Sequence, residues 1–305
     1  MDVLAWLMEG DPAIRWQVMA DLTDETEQAV GDERSRVAKE GWGRRLLDLR
    51  DEATGQWGGG TYVPKWTSTT YTLLLLIHMG LPPRVAESQR VVRDVRDKVR
   101  WRRPWAGPYF SVIGEPCVTA MTVAIASYFG HPDWSTDSLD WLLEQQRPDG
   151  GWNCDERSSR GSFHTTISVL EALHAYQASD GPDAGAASTP RRSGHEYLLE
   201  RRMFRTKSTG EPAHRSFPMF SFPPRWHYDL LRGMDYMRLA LPRPDSRCEE
   251  ALEVIQAKRR RDGRWNLQNT HRGLVHFEME DGAGKPSRWN TLRAARVLKW
   301  AGVGG

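Results

Sequence analysis

The residues with the most useful chemistry stand near the start of apolar segments that recur along the chain. Cys117, His164 and His227 each lie 13 residues before the residue that ends such a segment. All three side chains can bind zinc. Thr67 and Trp289 hold the equivalent position in two further segments. If the segments are helices, their N-termini offer partial positive charge and free N–H groups, which suit anions.

The apolar segments have the periodicity and length of helices, and a more charged amphipathic segment follows each of them. This alternation suits inner helices that are covered all round and outer helices with one wet face. It predicts one all-α domain over residues 1–305. The apolar segments are Pro12–Leu22, Trp66–Gly80, Pro116–Gly130, Phe163–Gln177, Trp226–Ala240 and Arg288–Gly302. The charged segments are Glu25–Arg50, Arg84–Val99, Asp137–Gln146, Gly194–Met203 and Ser246–Arg261.

Three stretches between these segments lack a helical pattern. Ser179–Gly194 is rich in Gly, Ala, Ser and Pro, and it predicts a flexible outer loop. Thr206–Pro224 is apolar and irregular, which fits either a packed connector or a lid. Asn266–Pro286 is a long insertion that we interpret as a rim loop.

A turn motif closes three of the charged segments. A polar residue is followed four positions later by Gly and six positions later by Trp. Gly permits the positive φ that ends a helix, and the Trp is predicted to pack between repeats. The copies are Gln146-x-x-x-Gly150-x-Trp152, Asp51-x-x-x-Gly55-x-Trp57 and Arg259-x-x-x-Gly263-x-Trp265.

Gln-x-x-x-Gly-x-Trp, followed by a polar loop and an inner apolar helix, resembles the α/α-toroid superfamily over Asp51–Gly302. That group includes squalene and oxidosqualene cyclases and the β subunits of protein prenyltransferases. The resemblance implies a closed ring of five to six inner and outer helix pairs. It also implies an enzyme acting on an apolar, isoprenoid-like substrate in a central aromatic cavity. Trp66, Trp152, Trp226 and Trp289 are expected near the mouth of that cavity.

The prenyltransferase β subunits hold zinc with an Asp-x-Cys pair at one inner helix and a His at the next. Glu115-Pro116-Cys117 and Phe163-His164-Thr165 are similar. The resemblance therefore implies zinc bound by Glu115, Cys117 and His164, with one position open for a substrate thiol or water. Cys154 is an extra or alternative ligand.

The sequence also departs from both branches of that group. The stretch 107–114 has no cation to hold a diphosphate, and the Asp-x-Asp-Asp and Asp-Asp-x-x-Asp motifs are missing. A different acid would be needed: Asp155 or Asp229, with a pKa raised by an apolar cavity, and His227 beside it. The alternative is a non-catalytic toroid that binds an apolar small molecule or a partner protein, with or without a structural zinc. Cys117 and His164 would then be ordinary core residues.

Composition narrows the class of partner. The 305 residues carry 42 basic and 40 acidic side chains, a net charge of +2, which gives no reason to expect nucleic acid or an anionic membrane. The three cysteines are far apart in sequence, and the start lacks the pattern of a signal peptide. We therefore expect a reduced, cytoplasmic setting without a transmembrane segment. No feature indicates a partner subunit. The 14 Trp are the compositional outlier.

Overall fold

The chain folds mainly into helices. A computed structural model describes residues 2–179 and 181–303; Met1, Asp180, Gly304 and Gly305 of the predicted domain lie outside this range. The helices are α1 (Val3–Met8), α2 (Pro12–Leu22), α3 (Glu27–Ser35), α4 (Gly41–Asp48), α5 (Thr69–Met79), α6 (Ala86–Lys98), α7 (Pro116–Tyr128), α8 (Thr136–Glu144), α9 (Phe163–Ala178), α10 (Ser188–Leu199), α11 (Leu230–Ala240), α12 (Glu249–Ala257) and α13 (Arg288–Trp300). Strands β1 (Arg100–Trp101) and β2 (Gly107–Pro108) form one short antiparallel pair. The helical class predicted from the sequence is confirmed.

The helices divide into a buried set and an amphipathic set, as the sequence predicts. In α7 nearly every residue is buried, whereas α6 buries only Ser88, Val91, Val92 and Val95. A helix that is apolar all round must be covered on all sides, and one with a charged face lies at the surface. No helix in the described ranges is long and apolar enough to cross a membrane.

The predicted segments correspond to helices, but several of their boundaries shift in the structure. Asp11 accepts from the N–H of Ala13 and caps α2, which begins at Pro12 as predicted. The segment predicted from Trp226 becomes helical only at Leu230. Ser179–Gly194 was predicted as a loop, but within its described part a helical turn forms over Ala184–Ala187 and α10 starts at Ser188.

The buried helices pack against one another in chain order. α5 packs on α7, α7 on α9, α9 on α11 and α11 on α13. α13 in turn packs on α2, close to the start of the chain. The indole N–H of Trp16 in α2 donates to the Met79 carbonyl at the end of α5, at 2.9 Å. Six helices are therefore neighbours in succession, and the last contacts the first.

The same ends of these helices lie together. The His227 ring, before α11, lies 6.2 Å from the Trp66 ring before α5 and 5.8 Å from the His164 ring at the start of α9. At the other end, the Arg34 guanidinium bonds to the Gly80 carbonyl after α5 and to the Tyr128 hydroxyl at the end of α7. The N-terminal and C-terminal ends of the buried helices thus face opposite sides of the molecule.

Thr206–Pro224 and the insertion after Trp265 cover the N-terminal end. Phe217, Phe220 and Phe222 are at most 6% exposed, so the first stretch is a packed connector. Ser221 forms a parallel bridge with Asn269 of the insertion. The backbone N–H of Trp66 donates to the Leu274 carbonyl at 2.7 Å, which ties the insertion to the start of α5.

The three Gly-x-Trp turns have one geometry. Each Gly has φ between 73° and 83°, in the left-handed region. Each indole N–H donates to a carbonyl two residues before the end of the preceding amphipathic helix. Each Trp backbone N–H donates to a threonine hydroxyl in the first turn of the next buried helix. The three sets are Trp57 with Leu46 and Thr69, Trp152 with Leu142 and Thr166, and Trp265 with Ile255 and Thr291. Each of these tryptophans therefore connects two consecutive helices through hydrogen bonds to both.

Candidate functional site

A central cavity of about 670 Å³ lies among the six buried helices. Every one of these helices contributes side chains to its wall. The cavity extends from the connector at Phe222 and Pro224 to residues that follow helix C-termini, such as Gly80 and Gly130. The lining residues include Trp16 of α2, Leu74 and His78 of α5, Met121 and Ala124 of α7, Glu171 and Ala175 of α9, Arg232 and Asp235 of α11, and Trp289, Arg293 and Arg296 of α13.

Ion pairs cross the cavity wall and join neighbouring helices. The Arg232 guanidinium donates twice to the Glu171 carboxylate, at 2.9 and 2.5 Å. Arg296 pairs with Asp235 and also reaches Asp21 of α2 at 3.2 Å. The nearby guanidinium groups hold the pKa of Asp235 far below its usual range, although burial alone would raise it. The Asp235 carboxylate is therefore an ionised partner of arginine.

A second cluster forms where the loop before α9 meets the start of α7. The ligand atoms of Glu115, Cys117 and Cys154 all lie within 4.8 Å of one another. The two Sγ atoms are 3.1 Å apart, and the Thr165 hydroxyl donates to Cys154 Sγ at 3.4 Å. The hydrogen bond between the thiols lowers the pKa of Cys154 to about 7 and raises that of Cys117. This set of sulfur and carboxylate donors could hold a metal ion.

His164 is not a member of that cluster. The backbone N–H of Tyr228 donates to its Nδ1 at 2.8 Å, and its ring packs against Trp226 and Phe217. Burial lowers the pKa of His164 to about 4, so the imidazole is neutral at pH 7. The cluster contains two of the three predicted ligands, Glu115 and Cys117, together with Cys154, which the sequence predicts as an extra or alternative ligand.

His227 lies in an aromatic stack at the N-terminal end of the helices. Its ring centroid is 3.7 Å from that of Trp226 and 3.8 Å from that of His271. Burial lowers the pKa of His227 to about 3. The stack packs against Trp66, whose indole N–H donates to the His271 carbonyl at 3.0 Å. The structure thus brings together Trp66, Trp226, His164 and His227, as predicted from their positions.

The two predicted acids occupy different settings. Asp229 is the N-cap of α11: its carboxylate accepts from the N–H of Arg232 at 2.8 Å and from that of Ser221 at 3.1 Å. Asp155 lies on an exposed loop beside Arg157, which lowers the pKa of Asp155. The raised pKa expected for Asp155 is therefore not found, because its carboxylate meets water and a cation rather than an apolar cavity.

The four tryptophans also separate into groups. Trp289 lines the cavity, and its ring stacks on Phe222 at a centroid distance of 4.1 Å. Trp66 and Trp226 belong to the aromatic stack. Trp152 is fully buried in its turn, so it packs in the core and does not line the cavity.

Sequence reasoning missed the charged residues of the cavity wall and Arg225. The signal for the wall was available, because Glu171, Arg232, Asp235 and Arg296 interrupt otherwise apolar helices. A charge on a helix that is buried all round needs a partner across a helix interface. Arg225 gave no such signal, since it lies in the irregular stretch before Trp226.

Glu280 lies in the insertion that the sequence predicts to be a rim loop first and a ligand set second. It accepts from the Ser287 hydroxyl at 2.5 Å and from the Trp289 backbone N–H at 3.3 Å, so it caps α13. Burial raises the pKa of Glu280 to about 7.

The chain matches no known protein-family model and no curated protein. Its function must therefore be argued from the geometry of the cavity and of the Glu-Cys-Cys cluster.

Proposed function

We propose that the chain is an α/α toroid whose central cavity binds one largely apolar small molecule. The succession of contacts from α2 through α5, α7, α9, α11 and α13 back to α2 supports a closed ring. The repeated Gly-x-Trp turns support the same architecture, because each one joins an outer helix to the next inner helix in the same way. The same turns carry the resemblance to the cyclase and prenyltransferase group.

One observation carries the binding function: a single cavity is lined by side chains from all six inner helices. Its volume of about 670 Å³ lies within the range of small-molecule sites, roughly 300–1,000 Å³. Leu74, Met121, Phe222 and Trp289 give it apolar surface. Apolar walls with a few fixed polar groups are typical of ligand pockets.

The ion pairs favour binding over acid catalysis. A cyclase that protonates an alkene needs a carboxylic acid with a raised pKa. The carboxylates that line this cavity, Asp21, Glu171 and Asp235, all pair with arginine. Such pairing stabilises the ionised form and makes a carboxyl group a poor proton donor at neutral pH.

A cavity-filling substitution tests this function. Ala124 and Ala175 line the cavity on α7 and α9, and Phe at both positions would occupy much of it. The neutral fluorescent probe N-phenyl-1-naphthylamine should bind the unaltered chain and should lose most of its affinity for the double variant. Ala86→Phe on the exposed start of α6 is the matched control and should bind normally. Equal binding by all three chains would refute the proposal.

The Glu-Cys-Cys cluster favours a second function, a zinc-assisted enzyme of the prenyltransferase or cyclase type. The donor set fits zinc, since thiolate and carboxylate are its usual ligands and three protein ligands leave one position open. When bound, zinc would supply Lewis acidity at that position. Thr165 orients Cys154 by its hydrogen bond, as outer groups orient metal ligands. Met121, four residues after Cys117, lines the cavity, so the cluster lies about one helical turn from the cavity wall along α7.

An assay of turnover with and without zinc distinguishes a zinc-assisted enzyme from a binding protein. Turnover of an isoprenoid-like substrate that requires zinc and is lost in Cys117→Ser with Cys154→Ser would support the enzyme. Ligand binding that is unchanged in the same variant, without turnover, would support the binding protein alone.

A further inference from the structure

Arg225 is a buried cation without a counter-ion. Its side chain belongs to a residue that is only 9% exposed. Within residues 2–179 and 181–303, no carboxylate lies within 4.0 Å of its guanidinium, and the guanidinium donates no hydrogen bond. Burial lowers the pKa of Arg225 to about 10, yet the group remains charged at neutral pH. Burying a charge without a partner costs free energy, so an anion bound beside the guanidinium would stabilise the protein.

The other buried arginines of the cavity show the contrast. Arg232 is held by Glu171, and Arg293 and Arg296 are held by Asp235. Each of these guanidinium groups has a carboxylate partner within the fold. Among the buried arginines that line this cavity in the described structure, Arg225 is the one without such a carboxylate. Glu278 acts on it only through a longer-range attraction.

The backbone fixes the position of Arg225. Its φ is 57°, in the left-handed region that residues with a side chain rarely adopt. It stands between Pro224 and Trp226, and its guanidinium carbon is 5.4 Å from the centroid of the Trp66 ring. Conformations of this kind cost free energy and persist where the surroundings hold them, often at ligand sites. The cation is thus held at the connector end of the cavity.

Apolar surface continues from Arg225 into the cavity. Phe222 lies three residues before it in the connector and stacks on Trp289, and Met121 and Leu74 lie on the walls of α7 and α5. A ligand that matches both the Arg225 guanidinium and the apolar wall needs an oxyanion at one end and an apolar body. Guanidinium suits a carboxylate or a phosphate, because both can accept two parallel N–H bonds.

We propose that Arg225 binds the acidic head group of an amphipathic small molecule whose apolar body fills the central cavity. The inference rests on the proposed function, because it takes the cavity as the ligand site, and it adds the chemical class of the ligand. The shared chemistry is a carboxylate or a phosphate on an apolar chain. The binding experiment below distinguishes a carboxylate ligand from a phosphate ligand.

The test compares three probes of equal chain length: decanoate, decyl phosphate and the neutral decanol. Binding is measured by calorimetry below their micellar concentrations. For the unaltered chain we expect at least one anion to bind about tenfold or more tightly than decanol, as a charge-assisted hydrogen bond allows. Whichever anion has the larger ratio identifies the head group. In Arg225→Met that ratio should fall to about one, while decanol binding should persist.

Arg261→Met is the matched control, since Arg261 is exposed to solvent and lies outside the cavity, and it should keep the ratio. Arg225→Lys keeps the charge and should retain part of the preference, which covers the case in which Arg225→Met does not fold. An anion preference that survives in Arg225→Met, or none in the unaltered chain while decanol binds, would overturn the inference alone. If none of the three probes binds, the proposed function fails with it.

Discussion

The Sγ atoms of Cys117 and Cys154 lie 3.1 Å apart, although the two residues are 37 positions apart in sequence. The contact forms because the polar loop before α9 passes the first turn of α7. Glu115, the residue before that helix, completes the group. The second thiol of the candidate metal centre therefore comes from the loop, and the imidazole of His164 is engaged elsewhere by Tyr228.

We expect the chain to bind about one zinc ion through this cluster. Cys117→Ser and Cys154→Ser should each remove most of the metal, because each takes away one of three ligands. His164→Ala should keep it. Elemental mass spectrometry of protein purified without chelator or histidine tag gives the metal content.

Cys248→Ser is the matched control, since Cys248 is buried away from the cluster. Its metal content should equal that of the unaltered chain. The Glu-Cys-Cys assignment would be wrong if zinc added back to the unaltered chain does not stay bound. It would also be wrong if His164→Ala loses metal while Cys154→Ser keeps it.

Trp152 should stabilise the fold by more than the burial of its apolar surface alone. Its indole N–H donates to the Leu142 carbonyl at 2.7 Å inside the core. Trp152→Phe should lower the free energy of unfolding by about 1–3 kcal/mol, because it leaves that carbonyl without its partner and a small void. Urea denaturation measures the change. Trp105→Phe, at a half-buried Trp outside these turns, should cost clearly less; an equal loss would contradict the role of the turn.

Asp235 should contribute strongly to the stability of the contact between α11 and α13. It accepts from Arg296 and lies 3.5 Å from Arg293, and all three residues are largely buried. Asp235→Leu should lower the free energy of unfolding by about 3–5 kcal/mol, because it leaves the buried Arg293 without a carboxylate and Arg296 with Asp21 alone. Adding Arg296→Met should restore part of the loss, and a double-mutant cycle in urea measures this coupling. Strictly additive effects would contradict the pairing, and Asp97→Ala at the exposed Arg96 pair should change little.

Stability should fall as the pH is lowered from about 6.5 to about 4. Burial lowers the pKa of His78, on the cavity wall, from 6.5 to about 4. In that window the unfolded chain takes up a proton at this position and the folded chain does not, so protons favour unfolding. The contribution of His78 is about 1 kcal/mol, reduced because the cavity admits water. His78→Gln should make the free energy of unfolding less dependent on pH.

The exposed His214→Gln should leave that pH dependence nearly unchanged. Chemical denaturation at pH 7, 6, 5 and 4 gives the slopes for the three chains. A slope for His78→Gln equal to that of the unaltered chain would show that His78 is not held neutral by burial.

The helix positions could be predicted where local sequence determines them. Asp11 and Pro12 set the start of α2, and the apolar period of α9 predicted its end to within one residue. The start of α10 was missed because Ser and Pro favour loops, yet Pro190 stands in the first helical turn, where no N–H is needed. Asp229 moved the start of α11, since it caps the helix three residues after the predicted beginning.

The candidate site was harder to predict because it depends on contacts between distant segments. Cys154 replaces His164 beside Cys117 only because of the path of the loop before α9. The pairing of Asp235 with Arg296 joins residues 61 positions apart. Arg225 follows no periodicity at all, so its isolation in the cavity wall is visible only in three dimensions.

Crystallography with a heavy-atom ligand tests the central claim most directly. Crystals grown with 1-bromodecane, a neutral apolar molecule with a strong anomalous scatterer, would be measured at the bromine edge. We predict one bromine peak inside the cavity, within contact of Leu74, Met121 or Trp289. The same peak should be missing from crystals of the Ala124→Phe, Ala175→Phe variant. Bromine found only at the outer surface, with the cavity filled by protein side chains, would contradict a ligand-binding ring.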